Sequence, residues 1–134
     1  MKFFFLLFIV SSLLLGLSEK QQNYKYIKEF NDARKREGSS MQMYKYEILY
    51  SEQRFDYALE VDFSSVNKDS LNNLMYGLCA DILTKKYINK GWSYNYYYRN
   101  KSTKEKVIEF TVNKSTCRQY WICCKEYYGK TFSY

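Results

Sequence analysis

From Trp92 the aromatic side chains fall on every second residue, at Trp92, Tyr94, Tyr96 and Tyr98, and a period of two places all of them on one face of an extended strand. Ile108, Phe110 and Val112 alternate in the same way with Glu109, Thr111 and Asn113. Lys106 to Asn113 is therefore expected to be the return strand of a hairpin whose tip is the polar stretch Arg99 to Glu105, with a third strand near Tyr120 to Tyr127. This pattern commits the C-terminal half to an antiparallel sheet with one aromatic face.

The N-terminal half carries helical spacing instead. Asn23 is placed to cap a helix whose apolar positions are Tyr24, Ile27, Phe30 and Ala33, stopped by Gly38. Met43 to Tyr50 lead into Ser51, a candidate cap for a short helix through Phe55, Ala58 and Leu59. Asp69 or Ser70 then opens a stronger helix with Leu71, Leu74, Met75, Leu78 and Ile82 on one face and Cys79 beside it. The expected fold class is α+β, with N-terminal helices followed by a C-terminal antiparallel sheet.

Met1 to Ser18 has the layout of a secretory signal peptide: Lys2, the apolar run Phe3 to Val10, Leu13 to Leu15, then Gly16 and Ser18 at the positions before a cleavage point. Residues 19–134 are expected to form a single secreted, extracellular domain, with no second apolar run long enough to span a bilayer. Export gives meaning to the four cysteines, Cys79, Cys117, Cys123 and Cys124, for which two disulfides are the expectation in an oxidising compartment. A bond between adjacent Cys123 and Cys124 demands a distorted peptide, so one of them is expected to join Cys117 and the other Cys79. Asn100-Lys101-Ser102 and Asn113-Lys114-Ser115 fit the glycosylation acceptor pattern, the first at the hairpin tip and expected to be occupied.

The chain contains no histidine, which removes the usual general base near neutral pH and the commonest transition-metal ligand. Neither a Ser-His-Asp nor a Cys-His constellation can be built. No catalytic, cofactor-binding or metal-ligating residue is therefore assigned, and an enzyme is not expected. Carboxylate-only hydrolysis survives as an alternative, through the cluster Glu47, Glu52, Asp56, Glu60 and Asp62. A net charge of +7 is spread along the chain and argues against a dedicated nucleic-acid surface. With the aromatic residues it leaves a second alternative, a membrane-active defence or toxin-like protein. The favoured expectation is a non-enzymatic binding protein meeting an extracellular protein, glycan or lipid through Trp92, Tyr94, Tyr96 and Tyr98.

Three fragments in order resemble the CAP superfamily of secreted cysteine-rich proteins. Phe30-Asn31-Asp32-Ala33-Arg34 is similar to the family's opening helix, where an Asn and an Arg three residues later recur. Ile48-Leu49-Tyr50-Ser51 with Ala58 resembles the approach to its second helix, with Arg54 in a slot usually apolar. Glu109-Phe110-Thr111-Val112 through Cys117 to Trp121-Ile122-Cys123-Cys124 and Gly129 resembles a shortened family C-terminus. The resemblance implies a reduced α/β/α sandwich that acts through its surfaces or a lipid or sterol cavity. Glu109 stands where the family has a histidine, so the cleft histidines and their metal are not carried over.

Overall fold

A computed structural model describes residues 18–119. In chain order the elements are α1 (Glu19–Arg36), β1 (Gln42–Leu49), a 3-10 turn (Tyr50–Glu52), β2 (Arg54–Val61), α2 (Lys68–Ala80), α3 (Ile82–Asn89), β3 (Ser93–Asn100) and β4 (Lys106–Val112). The strands form one sheet in the order β1-β2-β3-β4. The outer pairs are antiparallel hairpins, whereas β2 and β3 run parallel. The fold is α+β as expected, but the sheet is mixed rather than antiparallel, because α2 and α3 carry the chain from the end of β2 back to the start of β3.

Register explains the core. Ile48 lies opposite Phe55, Phe55 beside Tyr94, and Tyr94 opposite Val112; the next row is Tyr46, Tyr57, Tyr96 and Phe110. Met75, Cys79 and Ile88 from the helices and Cys117 are buried against these rows, with Ile27 and Phe30 of α1 packed onto them. The alternate residues, among them Lys45, Glu47, Arg54, Asp56, Asn95, Arg99 and Glu109, project from the other face. Among the described residues the helices of the core pack on one face of the sheet, so these residues form two layers, and the α/β/α sandwich finds no support in them.

Residues Ser51 to Leu59, read above as a helix, form the turn and most of β2. Phe55, Ala58 and Leu59 fit a helical spacing, but Phe55, Tyr57, Leu59 and Val61 also alternate. Pairing with β1 on one side and β3 on the other decides for the strand. Helix α1 starts earlier than Asn23 predicts: in the full chain Ser18 is its cap, accepting from the Gln21 N–H while the Gln21 side chain accepts from the Ser18 N–H, and cleavage after Ser18 would remove this cap. The stripe Leu71 to Ile82 is broken by Asp81, whose extended backbone ends α2 and whose carboxylate caps α3, leaving Ile82 69% exposed. The strand expected at Tyr120 to Tyr127 lies outside the described residues.

Asn31 ties α1 to the sheet. Its amide nitrogen donates to the Met43 carbonyl at 3.0 Å and its oxygen accepts from the Met43 N–H at 2.7 Å, satisfying both backbone groups on the free edge of β1. Replacing it (Asn31→Ala) leaves two part-buried groups unpaired and is expected to cost about 1–3 kcal/mol. A urea midpoint unchanged from the parent protein would show that water replaces the tie.

The disulfide joins Cys79 of α2 to Cys117 beyond β4. This corrects the expected pairing, in which each of these cysteines met one of Cys123 and Cys124; those two lie outside the described residues. The expectation placed Cys79 and Cys117 on separate bridges only to keep the adjacent pair apart. The parallel seam brings the end of α2 against the end of β4, where both sulfurs are fully buried.

Candidate functional site

Helix α1 lies along β1 while α2 reaches β4, and a cleft remains above the central strands. Tyr57 of β2 and Tyr94 and Tyr96 of β3 line it, with Tyr26 of α1 and Tyr46 of β1 on one side and Leu83, Thr84 and Tyr87 of α3 on the other. The cavity measures about 50 Å³, room for the tip of one side chain. Its rings are locked together: Tyr26 stacks on Tyr46 at 4.2 Å, Tyr57 on Tyr96 at 4.9 Å, and Phe55 on Tyr94 at 4.8 Å. Each such pair contributes roughly 0.5–1.5 kcal/mol beyond the area it buries.

Burial sets the chemistry of the hydroxyls. It pushes the phenols of Tyr26, Tyr46, Tyr57, Tyr94 and Tyr96 above their ordinary range, and Tyr98 in the neighbouring cluster to about 12. Tyr26 is hydrogen-bonded to Tyr57, which opposes part of its shift, and Tyr94 to Thr84. Asp81 also lines the cavity, but its carboxylate is engaged by the Thr84 N–H at 2.9 Å and the Thr84 hydroxyl at 3.1 Å. At neutral pH the cleft therefore offers aromatic faces and uncharged hydroxyls.

The four aromatic residues expected to form the binding surface face the helices instead of solvent. Tyr94 and Tyr98 are 6% exposed, and Trp92 packs at 4.8 Å from Phe55 and edge-on to Tyr87 and Tyr50. Only Tyr94 and Tyr96 reach the cleft. The other tyrosines of the site were not singled out. Tyr26 follows helical spacing with Phe30 and Ala33, yet Tyr24, assigned to that face, is 70% exposed.

The acidic cluster does not converge on one point. Asp56 receives two hydrogen bonds from the Arg54 guanidinium, at 2.7 and 3.1 Å, and Glu60 pairs with Arg99 at 2.6 Å and Lys104 at 2.9 Å. These hydrogen bonds hold the Glu60 carboxyl below its ordinary range. Glu47 faces Lys45, Glu52 faces Arg54, and Asp62 accepts from the Ser40 hydroxyl. Among the described residues no three acidic or sulfur side chains come close enough to hold a metal ion, and no described helix is long and apolar enough to cross a membrane.

The two acceptor asparagines are engaged as well. Asn100 is 7% exposed; it donates to the Phe63 carbonyl and accepts from the N–H groups of Ser102 and Thr103. The side-chain nitrogen of the tip acceptor is turned inward against the loop after β2, so the expectation that this site is occupied finds no support in the turn. Asn113 caps the helical residues 114–119 through its side-chain oxygen, which accepts from the Thr116 N–H.

No family model matches the sequence, and no curated protein matches it significantly. Among solved structures, a candidate secreted protein from Pseudomonas aeruginosa is 17% identical with a TM-score of 0.47, covering 76% of this chain and 99% of its own. The type II secretion system pilotin AspS from Vibrio cholerae is 13% identical at a TM-score of 0.48, covering 66% and 86%. The pilotin EpsS of the Vibrio vulnificus type 2 secretion system is 11% identical at 0.46, covering 69% and 93%. Nothing about function follows from similarity at this level. None of these structures is a CAP domain. The CAP resemblance is also overturned within the chain, where Ala58 sits in a central strand instead of a second helix.

Proposed function

We propose that this protein is an exported, non-enzymatic binding protein that grips an apolar or aromatic side chain of an extracellular partner in the tyrosine cleft between α1 and α3. The observation that carries this reading is the cleft itself: a preformed gap lined by Tyr26, Tyr57, Tyr94 and Tyr96 with rings fixed by stacking. Rigid aromatic walls lose little entropy when a guest enters, and tyrosine supplies both apolar area and hydrogen bonds. Export is supported by the signal-like Met1 to Ser18 and by the buried Cys79–Cys117 bond, which suits an oxidising compartment. Absence of catalysis is supported by the lack of histidine and by burial of the phenols, whose raised pKa makes them poor proton donors near neutral pH.

Among the described residues the large exposed apolar side chains, Tyr24, Tyr50, Phe63 and Ile82, come from α1, the 3-10 turn, the loop after β2 and the start of α3. They belong to no single amphipathic helix face, which favours cleft binding over insertion into membranes. Panning a displayed random-peptide library on the folded protein tests the reading. Enriched peptides are expected to share one apolar or aromatic anchor and to bind a Leu83→Glu variant at least about tenfold more weakly, the effect of losing one anchor contact. Peptides that bind parent and variant equally, or no enrichment, would sink it.

A further inference from the structure

The face of the sheet on which no described helix packs is uniform in neither shape nor chemistry. At its centre Ala58 lies between Lys45 of β1 and Tyr97 of β3, and Tyr97 lies opposite Glu109 of β4. The methyl of Ala58 makes a low floor. Around it Tyr44, Lys45, Asp56, Asn95, Tyr97 and Glu109 enclose a trough of about 310 Å³, at the lower end of the range of small-ligand sites.

Tyr44 is where β1 departs from regular pairing. The register slips between Met43 and Lys45, and a bulge of this kind re-aims a side chain. The Arg99 guanidinium lies 3.6 Å over the Tyr44 ring and holds it in place, while Glu60 fixes Arg99 from the side. On the opposite wall the Thr111 hydroxyl donates to the Asn95 oxygen at 3.1 Å, and the Asn95 amide donates to Glu109 at 3.4 Å. This chain of bonds orients Glu109 and leaves its carboxylate with further acceptor sites.

We propose that this trough binds a neutral saccharide residue of an extracellular glycan, its C–H face on Tyr44 and Tyr97 and its hydroxyls toward Asp56, Asn95, Glu109 and Lys45. The choice of a neutral ligand rests on charge. The chain as a whole carries +7, yet Lys45, the cation that lines the trough, faces Glu47, and the neighbouring Arg54, Arg99 and Lys104 are paired as well, Arg54 with Asp56 and Glu52 and the other two with Glu60. A polyanion would have to break those pairs. A ligand of hydroxyl groups uses the free acceptor positions and leaves the pairs intact, and the electron-rich ring faces accept C–H groups without demanding a charge.

The site is on the face away from the tyrosine cleft, so it stands or falls separately from that cleft. The test is an array of immobilised neutral oligosaccharides of hexose and N-acetylhexosamine, with sulfated oligosaccharides as the anionic arm, followed by amide shift mapping with the best binder. Binding to a neutral member is expected, with the shifts confined to Tyr44, Ala58, Asn95, Tyr97, Glu109 and their neighbours. Tyr97→Ala removes a wall and Ala58→Leu fills the floor; each is expected to weaken binding at least about tenfold. Should Ala58→Leu fail to fold, the shift map of the parent protein and Tyr97→Ala decide. Binding to sulfated members alone, shifts that map to the tyrosine cleft, unchanged affinity in the variants, or no binding to any neutral member would each overturn the proposal.

Discussion

Above pH 10 this protein is expected to unfold in one cooperative step, releasing its phenolic protons as it does so. Tyr26, Tyr46, Tyr57, Tyr94 and Tyr96 all have their pKa raised, chiefly by burial, above the ordinary 10.0. The sign follows from proton binding. Above the ordinary value the unfolded chain has lost these protons while the folded chain still holds them, so stability present in full below pH 10 is lost as pH rises toward the folded values. Each tyrosine titrating in this window removes about 1.4 kcal/mol per pH unit. Against a total of roughly 5–15 kcal/mol for a domain, the group together exhausts stability within one or two pH units. Phenolate absorbance and far-UV circular dichroism should therefore change together, after an early, noncooperative ionisation of exposed residues such as Tyr24 and Tyr50. Gradual ionisation of nearly all tyrosines around pH 10 with the dichroism intact would mean that the stacked array is open to water.

The second large effect is expected from the disulfide. Cys79 and Cys117 are 38 residues apart, and a loop of that length restricts the unfolded chain by about 4 kcal/mol on the chain-entropy account. The loop contains α3, β3 and β4, so its loss frees the unfolded ensemble of half the sheet. Both sulfurs are 0% exposed within the main core cluster, and the double variant Cys79→Ala, Cys117→Ala also gives up their packing. Its urea midpoint should fall by about 1–4 M, taking about 1–3 kcal/mol per molar for a small domain. A shift worth less than about 1 kcal/mol would show that the unfolded chain is already confined there by other means.

The alternation after Trp92 made the β3–β4 hairpin legible, down to which residues share a face. The same signal was present in Arg54 to Val61, but Phe55, Ala58 and Leu59 also satisfy a helical spacing, and a window that short cannot separate the two. Once that strand is misread the parallel seam disappears with it, since a β-α-α-β order is what announces a crossover. The floor of the cleft was visible as Tyr94 and Tyr96. Its walls were not, because Tyr26, Tyr46 and Tyr87 come from elements whose proximity is set by sheet order. The trough on the other face depends on a bulge at Tyr44 and a small residue at Ala58, neither of which stands out in a sequence.

The parallel pairing of β2 with β3 gives the chain a kinetic asymmetry. Each hairpin closes over a short turn, through residues 50–53 on one side and 101–105 on the other, and needs little loop entropy to form. The seam between them can zip only after all of residues 62–92 have been folded back on themselves, a closure whose entropy is lost before any pairing compensates for it. Until then the seam edges of β2 and β3 stay unpaired, and an exposed edge of this kind can pair with another molecule as readily as with its own chain. The crossover that creates the cleft is thus also the step at which a nascent chain is most open to association with its neighbours.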